Sequence, residues 1–263
     1  MTVSIRASLM LSALAMAALT AAFADPPSTN NGSKARADSQ HWSYGGEGGP
    51  ARWGQLAPEN SPCAVGMQQS PIDLSGAMTA NVEAPQTHWI TARGGTVLNN
   101  GHTIEVDLAG AGGITLGGKT YELRQFHFHH PSEHTIDGKR FPLELHMVHA
   151  AEDRELAVIG VLFAEGATNP ALDPVWATAP GKEGKAAVAF DINPDALIPP
   201  DAAAYHYEGS LTTPPCSETV HWTVMAMPLT ASTSQIAAFS SLFPWNARPV
   251  QPLNRRYVLK TSG

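Results

Sequence analysis

Two short stretches constrain this chain more than any other feature: Gln125-Phe126-His127-Phe128-His129-His130 and Glu144-Leu145-His146-Met147-Val148-His149. In an extended backbone, successive side chains point to opposite faces. Gln125, His127 and His129 then share one face, and Glu144, His146 and Val148 share another. Phe126, Phe128, Leu145 and Met147 turn apolar groups to the far side, so a sheet packs behind the polar face. Three imidazoles on two such strands can converge on one metal ion. Gln125 and Glu144 each precede a histidine by two residues on that face, where an acceptor holds an imidazole in the tautomer a metal needs. Three neutral imidazoles suit zinc, and leaving the fourth position to water marks a catalytic site. The ion acidifies that water and generates hydroxide near neutral pH. His41, His88, His130, His134, His149, His206 and His221 are read as packing or hydrogen-bonding residues. Parity turns His130 and His149 away from the proposed ligands.

The rest of the chain reads as strand and loop. Ile104, Val106 and Leu108 alternate with polar residues over 102–108, and 156–164 is nearly all apolar, as a buried central strand is. Over 219–229, Val220, Trp222 and Val224 share a face. Helices are few: hydroxyl residues placed for an N-cap predict one over 230–239, and a second is expected within 169–177. The expected fold is mainly β (α+β): one domain built on a large, mostly antiparallel sheet with a few short surface helices.

The first 24 residues read as a secretory signal. Arg6 is the only charge before Asp25, residues 9–22 are apolar or small, and Ala22-Phe23-Ala24 resembles a cleavage site. The apolar run is short for a membrane span. Residues 25–38 are polar and read as a flexible lead-in, leaving 39–263 as the folded domain. The formal charge is −7, and removing Arg6 makes it −7 − 1 = −8. An acidic chain without a basic run is a poor nucleic-acid binder. In an exported chain, two cysteines, Cys63 and Cys216, imply a disulfide.

The chain resembles the α-class carbonic anhydrases of the secreted bacterial type. The resemblance rests on ordered blocks across 39–263: His41-Trp42-Ser43-Tyr44-Gly45, Gln69-Ser70-Pro71-Ile72, Leu98-Asn99-Asn100-Gly101-His102, the Gln125 and Glu144 strands, and Ser132-Glu133-His134-Thr135. Ser210-Leu211-Thr212-Thr213-Pro214-Pro215 and Asn246-Ala247-Arg248-Pro249-Val250-Gln251-Pro252-Leu253 complete it. The resemblance implies a twisted sheet with a conical cavity ending at one zinc ion. It also implies reversible hydration of CO2 to bicarbonate by attack of zinc-bound hydroxide, with proton transfer through His102. His127, His129 and His146 match the zinc ligands, Gln125 and Glu144 the side chains that orient two of them, and Asn246 the backbone carbonyl that orients the third. Thr212 matches the gatekeeper threonine and Glu133 the carboxylate that accepts its proton. Thr213 matches a residue that helps bind bicarbonate. Val148, Val158, Leu211, Val220 and Trp222 match the apolar wall for CO2, and Tyr44 and Asn100 match residues that order the water chain to His102. Cys63 and Cys216 match a paired cysteine set, and a bridge at Cys216 could brace the Thr212 loop.

Three positions depart from the family pattern. Glu105 stands where an amide is usual at the cavity wall, Ala247 stands where animal relatives have tryptophan, and His130 replaces another tryptophan. A non-catalytic binding protein of this fold would lack one or more of the histidines. An iron-dependent H-x-H β-fold enzyme would have no use for the Thr212 block. Oligomeric state is left open, a homodimer being compatible.

Overall fold

The computed structural model describes residues 41–108, 110–200 and 203–261. The signal and lead-in expected over 1–38 lie outside them. Residues Ser39–Gly263 form one compact unit. In chain order the strands are β1 (Met78–Thr79), β2 (Gln86–Thr87), β3 (Ala92–Arg93), β4 (Thr96–Asn99) and β5 (Ile104–Asp107). There follow β6 (Gly113–Leu116), β7 (Lys119–His129), β8 (Leu143–Ala150), β9 (Leu156–Glu165), β10 (Gly184–Ala187) and β11 (Asp191–Ile192). The last are β12 (Ala204–Gly209), β13 (Val220–Met225), β14 (Leu229–Ala231) and β15 (Leu259–Lys260).

A 13-stranded mixed sheet dominates, with the central order β12-β13-β9-β8-β7-β5-β4-β10. The run from β9 through β8, β7 and β5 to β4 is antiparallel. β13 and β14 instead lie parallel to β9. Direct cross-strand partners share a face, so register defines a row across the sheet: Leu98, Glu105, His127, His146, Gly160 and Val224. A bulge between Leu123 and Gln125 sets this face. Upstream of it, Tyr121 and Leu123 point into the main core with Phe126 and Phe128. One extra residue then moves the odd positions to the other face, which carries Gln125, His127 and His129.

Each face of the sheet has its own core. Behind the histidines lie Phe126, Phe128, Leu145, Met147, Ile159, Val161 and Phe163. Beside the histidines lie Val158, Leu162, Tyr207, Val220, Trp222 and Val224. The helices are short: α1 (Trp53–Leu56), α2 (Pro62–Val65), α3 (Asp173–Thr178) and α4 (Thr233–Ser240). Two differ from expectation. The helix expected to begin at Thr230 begins at Thr233, because Leu229, Thr230 and Ala231 pair with β9. Ser232 then caps the helix in a reciprocal box with Gln235. The helix expected within 169–177 is shortened to α3, with Pro174 in its first turn, where a missing N–H costs nothing. The strand expected over 219–229 is split, since Pro228 between β13 and β14 has no N–H for a ladder.

Cys63 and Cys216 form a disulfide across 153 residues. Among the described residues no helix is long and apolar enough to cross a membrane.

Candidate metal centre

The tautomers of the three histidines are fixed by what their outer nitrogens meet. His127 Nδ1 lies 2.8 Å from Gln125 Oε1, and His129 Nδ1 lies 2.7 Å from the main-chain oxygen of Asn246. His146 Nε2 lies 2.9 Å from Glu144 Oε1. Carbonyl and carboxylate oxygens only accept, so each of these nitrogens donates its N–H. In neutral rings the lone pairs then sit on Nε2 of His127, Nε2 of His129 and Nδ1 of His146. One ligand nitrogen from each ring lies within 4.8 Å of the other two. His129 Nε2 is buried and has no hydrogen-bond partner. Burial, followed by the neighbouring rings, pushes His127 well below its ordinary pKa, and burial lowers His129. Three neutral imidazoles with their outer N–H groups held and their lone pairs converging form a donor set that fits zinc.

Glu144 supports more than one histidine. Its Oε1 also lies 2.6 Å from His134 Nδ1, and its Oε2 accepts from the backbone N–H of Glu133 and of His134 at 2.8 and 2.9 Å. Burial opposes its ionisation, but His134 and His146 hold its carboxyl well below the usual range. Gly160, opposite His146 in register, makes room for it: a Cβ there would stand 3.2 Å from Glu144 Oε1. His134 Nε2 in turn lies 2.6 Å from the Tyr207 hydroxyl. His134, Glu144 and His146 also cluster at ligand distance, but their facing atoms already bond one another, so this group serves as support.

Glu133 is fully buried. Its Oε1 accepts the Arg248 backbone N–H at 2.8 Å. Its Oε2 lies 3.5 Å from His129 Nε2 and 3.9 Å from His146 Nδ1, with no hydrogen-bond partner. The Thr212–Glu133 hydrogen bond that the resemblance implies is therefore not formed, although Thr212 is buried. With Oε1 fixed on the Arg248 amide, the carboxylate turns Oε2 toward the ligand rings instead.

The five expected wall residues lie together. Val158, Val220 and Trp222 are buried in one apolar cluster, and Val148 and Leu211 pack against it. Trp222 is oriented by its Nε1 donating to Ser210 O at 3.0 Å. Thr213 closes the adjoining turn, its carbonyl accepting from Cys216 N at 2.9 Å.

His102 follows a turn built by Asn100, whose Oδ1 accepts the backbone N–H of His102 and Thr103 at 3.0 and 2.9 Å. Asn100 itself is exposed, and this carbonyl shapes the turn that carries His102. The His102 ring stacks on Trp42, and Tyr44 meets it edge-on at 6.4 Å. Burial pushes the Tyr44 phenol well up, with Glu133 adding to the effect. Glu105, beside His127 in register, is pushed up to about 7 by burial and by Asp107. Ala247 is buried, and His130 Nδ1 lies 3.0 Å from Pro244 O.

Sequence reasoning missed Arg248 as a structural centre. It is 1% exposed, donates to Ser70 O at 2.8 Å and Cys63 O at 3.2 Å, and lies 5.5 Å from the Trp53 ring centroid. Its place in the block from Asn246 to Leu253 was the one available signal.

The model of the family described as eukaryotic-type carbonic anhydrase matches residues 48–262. A carbonic anhydrase of Nostoc sp. is 45% identical over 234 residues, covering 87% of this chain and 89% of that protein. One from Pectobacterium carotovorum is 45% identical over 226 residues, covering 84% and 91%. Among solved structures, the α-carbonic anhydrase of Thermovibrio ammonificans, in complex with the inhibitor sulfanilamide, superposes with a TM-score of 0.81 at 43% identity. It covers 83% of this chain and 98% of its own.

Proposed function

The chain belongs to the eukaryotic-type (α) carbonic anhydrase family and is a carbonate dehydratase, a lyase acting on CO2 and bicarbonate. From that premise we propose that it is zinc-dependent, with one ion per chain held by His127, His129 and His146, and that His102 exports the proton. The convergence of three imidazole lone pairs carries this reading, each fixed by a partner on the opposite nitrogen. A zinc ion held there would acidify a bound water and so supply the nucleophile near neutral pH.

The chain's own residues do the rest. Gln125, Glu144 and the Asn246 carbonyl hold the ligand rings in one orientation. Val148, Val158, Leu211, Val220 and Trp222 offer an apolar wall suited to a linear, uncharged substrate, which positions it without strong ground-state binding. Thr212, Glu133 and Thr213 border the reacting centre; Thr212 selects for species with a proton to donate only when its hydroxyl turns to the free Oε2 of Glu133, and Thr213 helps hold bicarbonate. His102, half-buried beside Tyr44 and at the edge of the turn carrying Asn100, changes protonation state each turnover. Residues 39–263 are the catalytic domain. Residues 1–24 direct export to the periplasm or beyond, a compartment in which the Cys63–Cys216 bridge persists.

His146→Ala tests the metal reading. The variant should lose bound zinc, measured by elemental analysis of folded protein, together with CO2 hydration. Full activity in zinc-free variant protein would refute the site.

A further inference from the structure

The face of β12 and β13 turned away from the candidate metal centre carries a second group of polar side chains. Val224 shares the row of His146, and Trp222 its face. His221 and Thr223, with their cross-strand partners Glu208 and His206, therefore point the other way. These four line a cavity of about 410 Å³ together with Val82, Glu83 and Leu116.

Two observations give the cavity the character of a binding site. The first is an orphaned nitrogen in its wall. His206 is 8% exposed, its Nδ1 lies 3.3 Å from Thr223 Oγ1, and its Nε2 is buried without a hydrogen-bond partner. Burial lowers its pKa, so the ring is neutral at pH 7. Leaving such an atom unpaired is costly, and a polar group seated against it recovers that cost.

The second is negative charge left over. His221 Nδ1 and Nε2 lie 2.7 and 2.6 Å from Glu208 Oε1 and Glu155 Oε1. Ionised carboxylates only accept, so both nitrogens donate and the ring is an imidazolium. Burial opposes that charge, but the two glutamates hold its pKa above the ordinary value. Glu155 is saturated, because it also takes the Tyr121 hydroxyl and the Lys119 ammonium. Lys119 is shared in turn with Asp153. Glu83 and Glu208 each use only Oε1, so among the described residues no hydrogen bond engages their Oε2 atoms. Three lining carboxylates, Glu83, Glu155 and Glu208, thus outweigh the Lys119 and His221 cations.

We infer that this cavity binds a small organic cation, an alkylammonium carrying a hydroxyl. The ammonium donates to the free oxygens of Glu83 and Glu208 in charge-assisted bonds. The alkyl body packs on Val82 and Leu116. The hydroxyl meets His206 Nε2, and it suits either tautomer of that ring because it both donates and accepts. The same carboxylates repel an anion. A bare metal ion fits less well: the groups that bring three ligand atoms together among the described residues include none of these side chains. Because the cavity lies on the far face of the sheet, its occupancy does not rest on the proposed catalysis.

Calorimetric titration of the zinc-loaded protein with aminopentanol, pentylamine and hydroxypentanoate tests the assignment. Aminopentanol should bind saturably at one per chain, pentylamine several-fold more weakly, and hydroxypentanoate not at all. Glu208→Gln, a substitution at an exposed side chain, should weaken both amines several-fold. His206→Phe should bind the two amines alike, since the hydroxyl loses its partner. No saturable binding of aminopentanol would overturn the site, as would undiminished binding to Glu208→Gln or equal binding of hydroxypentanoate. If His206→Phe fails to fold, wild type alone decides the role of His206: equal affinities for aminopentanol and pentylamine would overturn it.

Discussion

Asn246 shows how much of the site one residue can organise. Its main-chain oxygen fixes His129, its Nδ2 donates to His102 O and Phe128 O at 2.9 Å each, and its Oδ1 accepts from His130 N at 2.7 Å. It is 1% exposed, and its bond to Phe128 O is buried. Asn246→Ala would leave the part-buried His102 carbonyl and His130 N–H without this partner, each costing up to about 1–3 kcal/mol, while Phe128 O keeps the Thr103 hydroxyl. The carbonyl to His129 would survive. The expected result is a Tm lower by several degrees with zinc affinity largely kept; an unchanged Tm would contradict this account of the side chain. Sequence could not have located these bonds, because the partners lie more than a hundred residues away. The Gln125 and Glu144 contacts, by contrast, follow from a two-residue spacing on one strand.

At the scale of the element, β8 carries a polar residue on each face, and the two behave differently. His146 faces the ligand side. His149 faces the core, is fully buried, and is satisfied as a neutral ring. Its Nδ1 donates toward Met147 O and Ala157 O at 3.1 and 3.2 Å, and its Nε2 accepts from Trp89 Nε1 at 3.1 Å. Burial pushes its pKa down from 6.5 to about 4. An unfolded chain takes up this proton at the ordinary value while the folded chain resists, so stability falls as pH drops from 6.5 to 4. The loss is roughly 3 kcal/mol from this group alone. Denaturant midpoints should therefore fall more steeply over that window in wild type than in His149→Gln; parallel curves would contradict the assignment. Parity alone had turned His149 from the metal. Parity over the whole of β7 would have failed, because Tyr121 and Leu123 sit on the opposite face from His127 and His129. The bulge responsible has no glycine or proline to announce it. The late start of α4 was hidden for a similar reason: Ser232 is the N-cap, but Thr230 suits a cap equally well until β9 claims it.

Across the whole molecule, the disulfide and the candidate metal centre are joined through Arg248. The Arg248 side chain reaches Cys63 O, and its backbone N–H holds Glu133 beside the ligand rings. Gln69 Nε2 donates to Cys216 O at 3.0 Å, close to the turn bearing Thr213. Reduction should lower stability by up to roughly 5 kcal/mol, the loop-closure figure for a separation of 153 residues. It should also lower turnover, since the Thr212 segment loses its brace. Guanidinium unfolding and CO2 hydration with and without reductant measure both, and equal midpoints would contradict the first. The cysteine pair was legible from its count and the expected export signal, while its route to Glu133 through Arg248 was visible only once the fold was assembled. The central claim is that the three converging imidazoles make this chain a one-zinc CO2 hydratase. Stopped-flow CO2 hydration on metal-stripped protein titrated with zinc tests it most directly. The rate should climb in proportion to added zinc and level off at one ion per chain; a rate independent of zinc would contradict it.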